Sequence, residues 1–188
     1  MMHTKNNLDP ADFINTASMF NTNMRPNATA NYPGRTYRFY TGNAIYSFGD
    51  GLSYTTFSYS MTSAGADVAF DRISRYVENS AGQFLRTEAP VLQWVTIKVK
   101  NTGTVAGSDV VLLFVQNPTP GVGGAPIKTL MGFERVYLEP GESIDVPFSI
   151  TAHDLTLANG DGGRGGQRGT WTLLAGQPTK ATTTIHVL

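Results

Sequence analysis

The sequence contains no cysteine. Disulfide bonds, thiol nucleophiles and zinc sites with cysteine ligands are therefore excluded, but the compartment stays open because many secreted β-sandwiches fold without cysteine. No apolar run approaches the roughly 20 residues that are needed to cross a bilayer. The start, MMHTKNNLDP, lacks the apolar stretch of a signal peptide, so we expect no export signal in the sequence as it stands.

The sequence also carries no net charge, because 14 acidic residues balance 14 basic residues. Proteins with non-specific affinity for nucleic acid depend on a strong positive field, so the composition argues against a nucleic-acid partner. His3 and His186 are isolated from other metal-ligating side chains in the sequence. We therefore expect no metal site and no cofactor.

The length of 188 residues fits one domain plus an extension, and a hydrophobic content of 40% is enough to bury a core. Residues 1 to about 31 are polar and rich in Asn, Thr and Met. Such a segment buries little apolar surface by itself, so it is interpreted as the tail of a larger domain or as partly disordered in isolation.

The second half of the chain has the patterns of β-strands. Residues 95–99 place Val and Ile on one face and Lys on the other, as in a half-buried strand. The continuous apolar run 110–115 predicts a strand that is covered on both faces. Apolar and polar residues alternate cleanly over 144–150, but Pro147 has no amide hydrogen to donate. This strand is therefore expected at the edge of a sheet.

Two further strands complete the pattern. Residues 130–138 form one, in which Gly132 interrupts the alternation as a bulge does. In the other, Trp171, Leu173 and Ala175 share one face. About seven short strands separated by Gly and Pro turns predict an all-β fold, a β-sandwich of the immunoglobulin or fibronectin type III kind.

Two segments depart from the strand pattern. Asp71–Ser80 has apolar residues at helical spacing, which indicates a short helix or a long excursion between the first strands. Asn159–Gly169 is rich in glycine but lacks the lysine and hydroxyl residue of a phosphate loop. We interpret it as a long hairpin loop.

Candidate catalytic residues have simpler explanations. Glycoside hydrolysis needs two carboxylates about 5 Å apart for retention, or further apart for inversion. Ordinary solvated or turn roles explain the acids in or beside predicted strands and turns, which are Asp50, Glu134, Glu139 and Glu142. Thr151-Ala152-His153-Asp154 predicts a capping box with Asp in place of Glu, not a His–Asp dyad, because neighbouring residues of a helical turn point in different directions.

The segment Tyr32–Phe57, YPGRTYRFYTGNAIYSFGDGLSYTTF, resembles the carboxy-terminal segment of glycoside hydrolase family 3 enzymes, especially β-xylosidases. In that family PGRTYRFYTG and FG(Y/H)GLSYTTF mark the beginning of a fibronectin type III-like domain. The likeness extends from about Met24 to the end of the chain. It includes, in the family's order, VTIKVKNTGTVAGSDVVLLFVQ at 95–116, LMGFERVYLEPGES at 130–143 and GTWTLLAG at 169–176.

The resemblance implies that residues 41–188 form a fibronectin type III-like domain, and that residues 1–40 are the tail of an upstream α/β domain and a linker strand. In the family a barrel-type domain supplies the aspartate nucleophile and an α/β domain supplies the acid/base glutamate. Neither region has a counterpart in this sequence, so no catalytic residue is carried over, and we expect a fragment, a truncated gene product or a relic. Asp50 stands where Tyr or His is usual, which is expected to weaken a domain contact.

The resemblance also assigns a candidate interface. Arginine and tyrosine are enriched at interface hot spots, and Tyr32, Arg35, Tyr37, Arg38 and Tyr40 fall in the segment that links two domains in the family. We predict that they form a strand in contact with the catalytic domains. A strand with a solvated arginine face and direct contact with a sugar remain as alternatives.

The function implied by the resemblance is that of an accessory module of a β-xylosidase or β-glucosidase that acts on plant cell-wall oligosaccharides. The β-xylosidase is preferred because GRTYRFYTG is more similar to that branch. The expected partners are the catalytic domains and an oligosaccharide, and the alternative is a stand-alone β-sandwich that binds carbohydrate or protein. The family implies an extracellular location, where the sequon Asn27-Ala28-Thr29 can carry a glycan.

We expect the purified chain to hydrolyse neither aryl xylosides nor aryl glucosides, because the family's pair of carboxylates lies outside it. A chromogenic assay beside a complete family 3 enzyme measures this. Turnover by the chain that disappears in a Glu134→Gln or Asp50→Asn variant would contradict the expectation.

Overall fold

Two β-sheets pack face to face in the computed structural model, which describes residues 23–64 and 67–188. The strands are β1 Phe57–Ala64, β2 Asp67–Val68, β3 Val91–Asn101, β4 Gly107–Gln116, β5 Thr129–Leu138, β6 Ser143–Thr151, β7 Thr156–Ala158, β8 Arg164–Gly166, β9 Gly169–Ala175 and β10 Ala181–Val187. The helices are α1 Thr36–Phe39 and α2 Phe70–Asn79, with 3-10 turns at Arg86–Glu88, Val122–Gly124 and His153–Leu155.

One sheet has the order β1-β3-β6 and the other has the order β2-β10-β9-β4-β5, while β7 and β8 form a separate hairpin. All pairs are antiparallel except the short pair of β2 with β10. This arrangement confirms the predicted all-β sandwich. No helix among the described residues is long and apolar enough to cross a membrane.

The core lies between the two sheets and follows the predicted alternation. Val95, Ile97 and Val99 of β3 are buried, as are Trp171 and Leu173 of β9. Strand β4 pairs with β5 on one side and with β9 on the other, and its residues 111–115 are all buried. The prediction of a strand covered on both faces is therefore confirmed.

The predicted irregularities also lie where the sequence places them. Strand β6 pairs with β3 and ends the three-stranded sheet, with Pro147 opposite Thr96. The pairing of β4 with β5 shifts between Leu113–Gly132 and Phe114–Leu130, which is the bulge expected at Gly132. A side chain at Gly132 would press on the Phe148 ring, which is 3.1 Å from the position of an added Cβ.

The helix predicted near residue 71 is confirmed as α2, and its Ile73 side chain is fully buried. The glycine-rich segment differs from the prediction, because its second half is strand β8 and only residues 159–163 connect the hairpin. The Arg164 guanidinium holds this strand by donating to Thr156 Oγ1 at 2.7 Å and to the Thr156 carbonyl at 2.9 Å. A strand of Arg-Gly-Gly has no apolar alternation, so the pattern could not predict it.

The strand predicted for Tyr32–Tyr40 is wrong. Tyr32 forms an isolated bridge with Asn27, and α1 follows it as one helical turn. The chain changes direction at Gly34, whose φ of +83° is a left-handed conformation that interrupts an extended strand.

Trp171→Ala is expected to lower the free energy of unfolding by about 3–5 kcal/mol, the usual cost of emptying a large aromatic site in a core. Trp171 is 1% exposed, whereas Trp94 on the outer side of β3 is 52% exposed. Trp94→Ala is therefore the matched control and should cost well under half as much. Urea unfolding measures both, and equal losses would contradict the packing described.

Candidate interdomain surface

Hydrogen bonds fold the Tyr32–Tyr40 segment back on the residues that precede it. The Tyr32 hydroxyl donates to the Asn23 carbonyl at 2.7 Å, and Arg35 Nε donates to the same hydroxyl at 2.8 Å. The Arg35 amide donates to the Met24 carbonyl at 2.9 Å. An added Cβ at Gly34 would lie only 2.8 Å from the Phe39 carbonyl oxygen, so this close approach of backbones requires glycine.

The helical turn α1 then attaches to the five-stranded sheet. The Tyr37 hydroxyl accepts from the Leu130 amide at 3.1 Å, and the Arg38 carbonyl accepts from the Ile127 amide at 2.6 Å. The Phe39 side chain is buried. Residues 37–39 therefore contact the sandwich directly.

The five residues predicted at a domain interface divide into two groups. Tyr32 is buried, and Tyr37 and Tyr40 are half-buried. Arg35 and Arg38 are exposed. The tyrosine rings thus pack against other residues of this chain, whereas the two arginine side chains are exposed.

Residues 41–56, here called the crossover loop, run from the five-stranded sheet to β1 of the other sheet. The upstream part is held by aromatic stacking: the Phe48 ring lies 4.3 Å from the Tyr37 ring, and both contact the Phe114 ring edge-on. Gly49 approaches Leu112 so closely that an added Cβ would overlap its side chain.

The downstream part of the crossover loop is held by Asn101, which is fully buried at the end of β3. The Thr55 hydroxyl donates to Asn101 Oδ1 at 2.7 Å. Asn101 Nδ2 donates to the Val105 and Leu138 carbonyls, each at 2.9 Å. One carboxamide therefore joins the loop to the ends of both sheets.

The crossover loop presents large apolar side chains to solvent, both between these two attachments and just before Phe48. Leu52 and Tyr54 are fully exposed, and Ile45 and Tyr46 are more than half exposed. The residues GLSY belong to a motif that resembles the family, but the sequence pattern did not predict a surface role for Leu52 or Tyr54. Apolar residues at alternate positions inside a turn-rich segment are the signal that could have found them, because such a segment has no core of its own to bury them.

The outer face of the five-stranded sheet continues this apolar character. Phe133 and Tyr137 of β5 alternate with buried Val136, so they project away from the core, and both are more than 60% exposed. Val110 of β4 is also exposed. Phe48 of the crossover loop lies on the same outer face, against Phe114.

Comparison with known proteins gives the chain its family. The sequence profile of the "Fibronectin type III-like domain" family matches residues 109–178. Over 82% of its length the chain is 36% identical to "Beta-D-xylosidase 3" of Arabidopsis thaliana, and over 81% it is 36% identical to "Probable exo-1,4-beta-xylosidase bxlB" of Aspergillus terreus. The chain contains a fibronectin type III-like domain and matches part of the glycoside hydrolase family 3 β-xylosidases. It corresponds to their fibronectin type III-like region, and we refer to it below as the Fn3-like module.

A solved structure agrees with this assignment. The Fn3-like module superposes on a "GH3 exo-beta-xylosidase (XlnD)" in complex with a xylobiose aziridine probe with a TM-score of 0.71 and 30% identity, over 89% of the module and 22% of that chain. The two curated relatives are likewise covered over only 21% and 18% of their length. The module thus spans about a fifth of the proteins that it matches.

Two of the four acids weighed as catalytic candidates have structural partners in the Fn3-like module. Asp50 Oδ2 accepts from the Ser47 amide at 2.6 Å and Glu142 Oε2 accepts from the Glu139 amide at 2.8 Å, so both acids close turns. The described residues contain no group of three or more His, Asp or Glu side chains that could hold a metal ion.

The Thr151–Asp154 turn contains the reverse half of a capping box. The Asp154 carboxylate accepts from the Thr151 amide at 2.9 Å, but the Thr151 hydroxyl donates to that carboxylate instead of accepting from the helix. His153 Nδ1 is 4.0 Å from Asp154 Oδ1, which is too long for a hydrogen bond. His153 and Asp154 therefore form no hydrogen-bonded dyad in the structure.

Gly34→Ala is expected to destabilise the Fn3-like module by about 1–3 kcal/mol, because a residue with a side chain is strained at positive φ. Contact with the Phe39 and Met24 carbonyls would add to this cost. Gly51→Ala is the control, since Gly51 has no atom within 4 Å of an added Cβ and no positive φ. Urea unfolding should separate the two variants, and equal stability would contradict the geometry of the turn.

Proposed function

We propose that the Fn3-like module docks onto the catalytic domains of a family 3 β-xylosidase through the apolar side chains of its crossover loop. The observation that carries this proposal is the full exposure of Leu52 and Tyr54 on a loop that is attached at both ends. The module acts as an accessory structural part, and the reaction belongs to the catalytic domains.

The energetics support a docking role. Burial of one large apolar side chain contributes about 1.5–3 kcal/mol, so Leu52 and Tyr54 leave a substantial free energy unused in the isolated module. Single exposed apolar residues are ordinary, but several together usually mark an interaction site. Because the loop is attached on both sides, little conformational entropy is lost when it binds.

The proposed occupant is the remainder of the enzyme. The relatives contain about four fifths of their length beyond the part that the module matches, which supports a partner within the same protein. We propose that Arg35 and Arg38, which are exposed beside the loop, lie in this interface. The buried ring of Tyr32 and the half-buried rings of Tyr37 and Tyr40 would support it from behind by positioning the loop.

The substrate and location are proposed from the relatives. Their names describe β-xylosidases, so the parent enzyme would release xylose from xylo-oligosaccharides, and it would act outside the cell on plant cell walls. Asn27 is exposed, which suits a glycan on the secreted protein. We further propose that the family's domain boundary falls near residue 40, with the described residues before it packed on the module.

The test uses the Aspergillus terreus exo-1,4-β-xylosidase after deletion of the part that matches the Fn3-like module. The module, added as a separate chain, should bind this truncated enzyme and raise its melting temperature. Leu52→Asp and Tyr54→Ala should each weaken binding at least tenfold, because each removes a central apolar contact. Calorimetric titration measures the affinity.

Trp94→Ala is the control, since it removes an exposed aromatic ring from the three-stranded sheet, on the opposite side of the sandwich. It should leave the affinity unchanged. Binding that survives both loop variants, or that is lost equally in the Trp94 variant, would refute docking through the crossover loop.

A further inference from the structure

A cleft of about 240 Å³ opens beside α1, between the beginning of β5 and the β7–β8 hairpin. Four arginines and a histidine from distant parts of the sequence line it. They are Arg25, Arg38, Arg86, Arg164 and His153.

The cleft contains far more positive than negative charge. The one carboxylate in its lining is Asp154, which is nearly buried, pairs with Arg86 at 2.7 Å and also accepts from Thr151. No carboxylate of the described residues lies within 4.0 Å of the guanidinium groups of Arg25, Arg38 or Arg164. Three cations therefore have no ion-pair partner among the described residues.

The fold holds these guanidinium groups in place. Arg25 Nε donates to the Gly124 carbonyl at 2.7 Å, and its guanidinium lies 5.5 Å from the centre of the Phe39 ring. The Arg38 guanidinium lies 5.3 Å from the same ring. Arg164 is fixed by its bonds to Thr156. An anion would thus meet donors that are already positioned, which lowers the entropic cost of binding.

The pKa of Arg164 reflects this environment. Burial lowers it first, the nearby Tyr76 side chain raises it, the positive charge of Arg38 lowers it further, and the Asp154 carboxylate raises it. Arg38 and Arg164 therefore repel each other across the cleft. An anion between them would relieve that repulsion.

The larger concavity beside α2, of about 750 Å³, contains less uncompensated positive charge. Of its two arginines, Arg75 pairs with Asp71 at 2.8 Å and Arg72 donates to the Val91 carbonyl. The charge of Arg75 is compensated there, and Glu88 also lines the space. An anion has no comparable site in that concavity.

His153 adds a second kind of donor or acceptor to the cleft. Its Nδ1 atom is buried and has no hydrogen-bond partner among the described residues. Burial and the Arg164 charge hold the pKa of His153 below its usual value, although Asp154 raises it, so the ring is neutral at pH 7. A neutral imidazole nitrogen pairs well with a hydroxyl group, and buried polar atoms normally have such a partner.

We propose that this cleft binds a carboxylated saccharide, with the carboxylate between Arg38 and Arg164 and a hydroxyl group at His153 Nδ1. The arginine side chains favour an anion, and the unpaired histidine nitrogen favours a hydroxyl group on the same ligand. A uronic acid carries both groups. The volume is below the roughly 300–1,000 Å³ of sites for drug-sized ligands, which suits a single sugar ring. This site shares Arg38 with the interface proposed above, but no residue of the crossover loop lines it.

The test is calorimetric titration of the full chain with glucuronic acid and, as the neutral comparison, glucose. Saturable binding of glucuronate alone is expected, and Arg38→Gln should weaken it at least tenfold. Arg135→Gln is the matched control, because it removes the same charge from the outer face of β5, away from the cleft. His153→Phe should weaken binding of glucuronate while leaving the folded structure intact by circular dichroism.

Three results would overturn the proposal. Glucuronate that binds no better than glucose would exclude recognition of the carboxylate. Acetate or sulfate binding as tightly as glucuronate, with the same loss in Arg38→Gln, would leave an anion site without a sugar ligand. If the sugars do not bind and Arg38→Gln instead weakens binding to the truncated β-xylosidase, Arg38 recognises a carboxylate of that protein and not of a sugar.

Discussion

The buried carboxamide of Asn101 is the interaction on which the arrangement of the surface depends. It accepts from Thr55, where the crossover loop ends, and donates to Leu138, where β5 ends. Because Asn101 is also the last residue of β3, one side chain connects the loop with both sheets. Such a group is stable only when all its hydrogen bonds form together, since an unpaired buried amide is costly. With this end secured and the Phe48 ring stacked at the other, the apolar residues between them stay in solvent.

The sandwich could be predicted from the sequence because its strands carry strong alternation. Val95, Ile97 and Trp171 are buried as their period of two requires, and the bulge lies at Gly132. The segment 32–40 could not be predicted in the same way. Its aromatic residues suggest a strand, but the left-handed turn at Gly34 depends on contacts with the backbone of Met24 and Phe39 that no local pattern contains.

The surface was harder to predict than the core for a physical reason. Tyr32 and Leu52 are both large side chains of the Tyr32–Phe57 segment, yet one is buried on this chain and the other is fully exposed. Their difference depends on the folded path of the chain, which composition does not record. The cationic cleft is a second case, because Arg25, Arg38 and Arg164 meet only after the hairpin β7–β8 folds next to α1. The exposed apolar residues of the crossover loop do not line the cleft, so the two proposed sites share only Arg38.

Thiol labelling at position 52 tests docking through the crossover loop most directly. The chain has no cysteine, so Leu52→Cys introduces a single reactive site. Docking through the crossover loop predicts rapid labelling of the introduced thiol in the isolated module. The same thiol should be strongly protected when the module replaces the matching region of a complete family 3 β-xylosidase. Equal labelling rates in the two proteins, in a chimera that retains its activity, would contradict it.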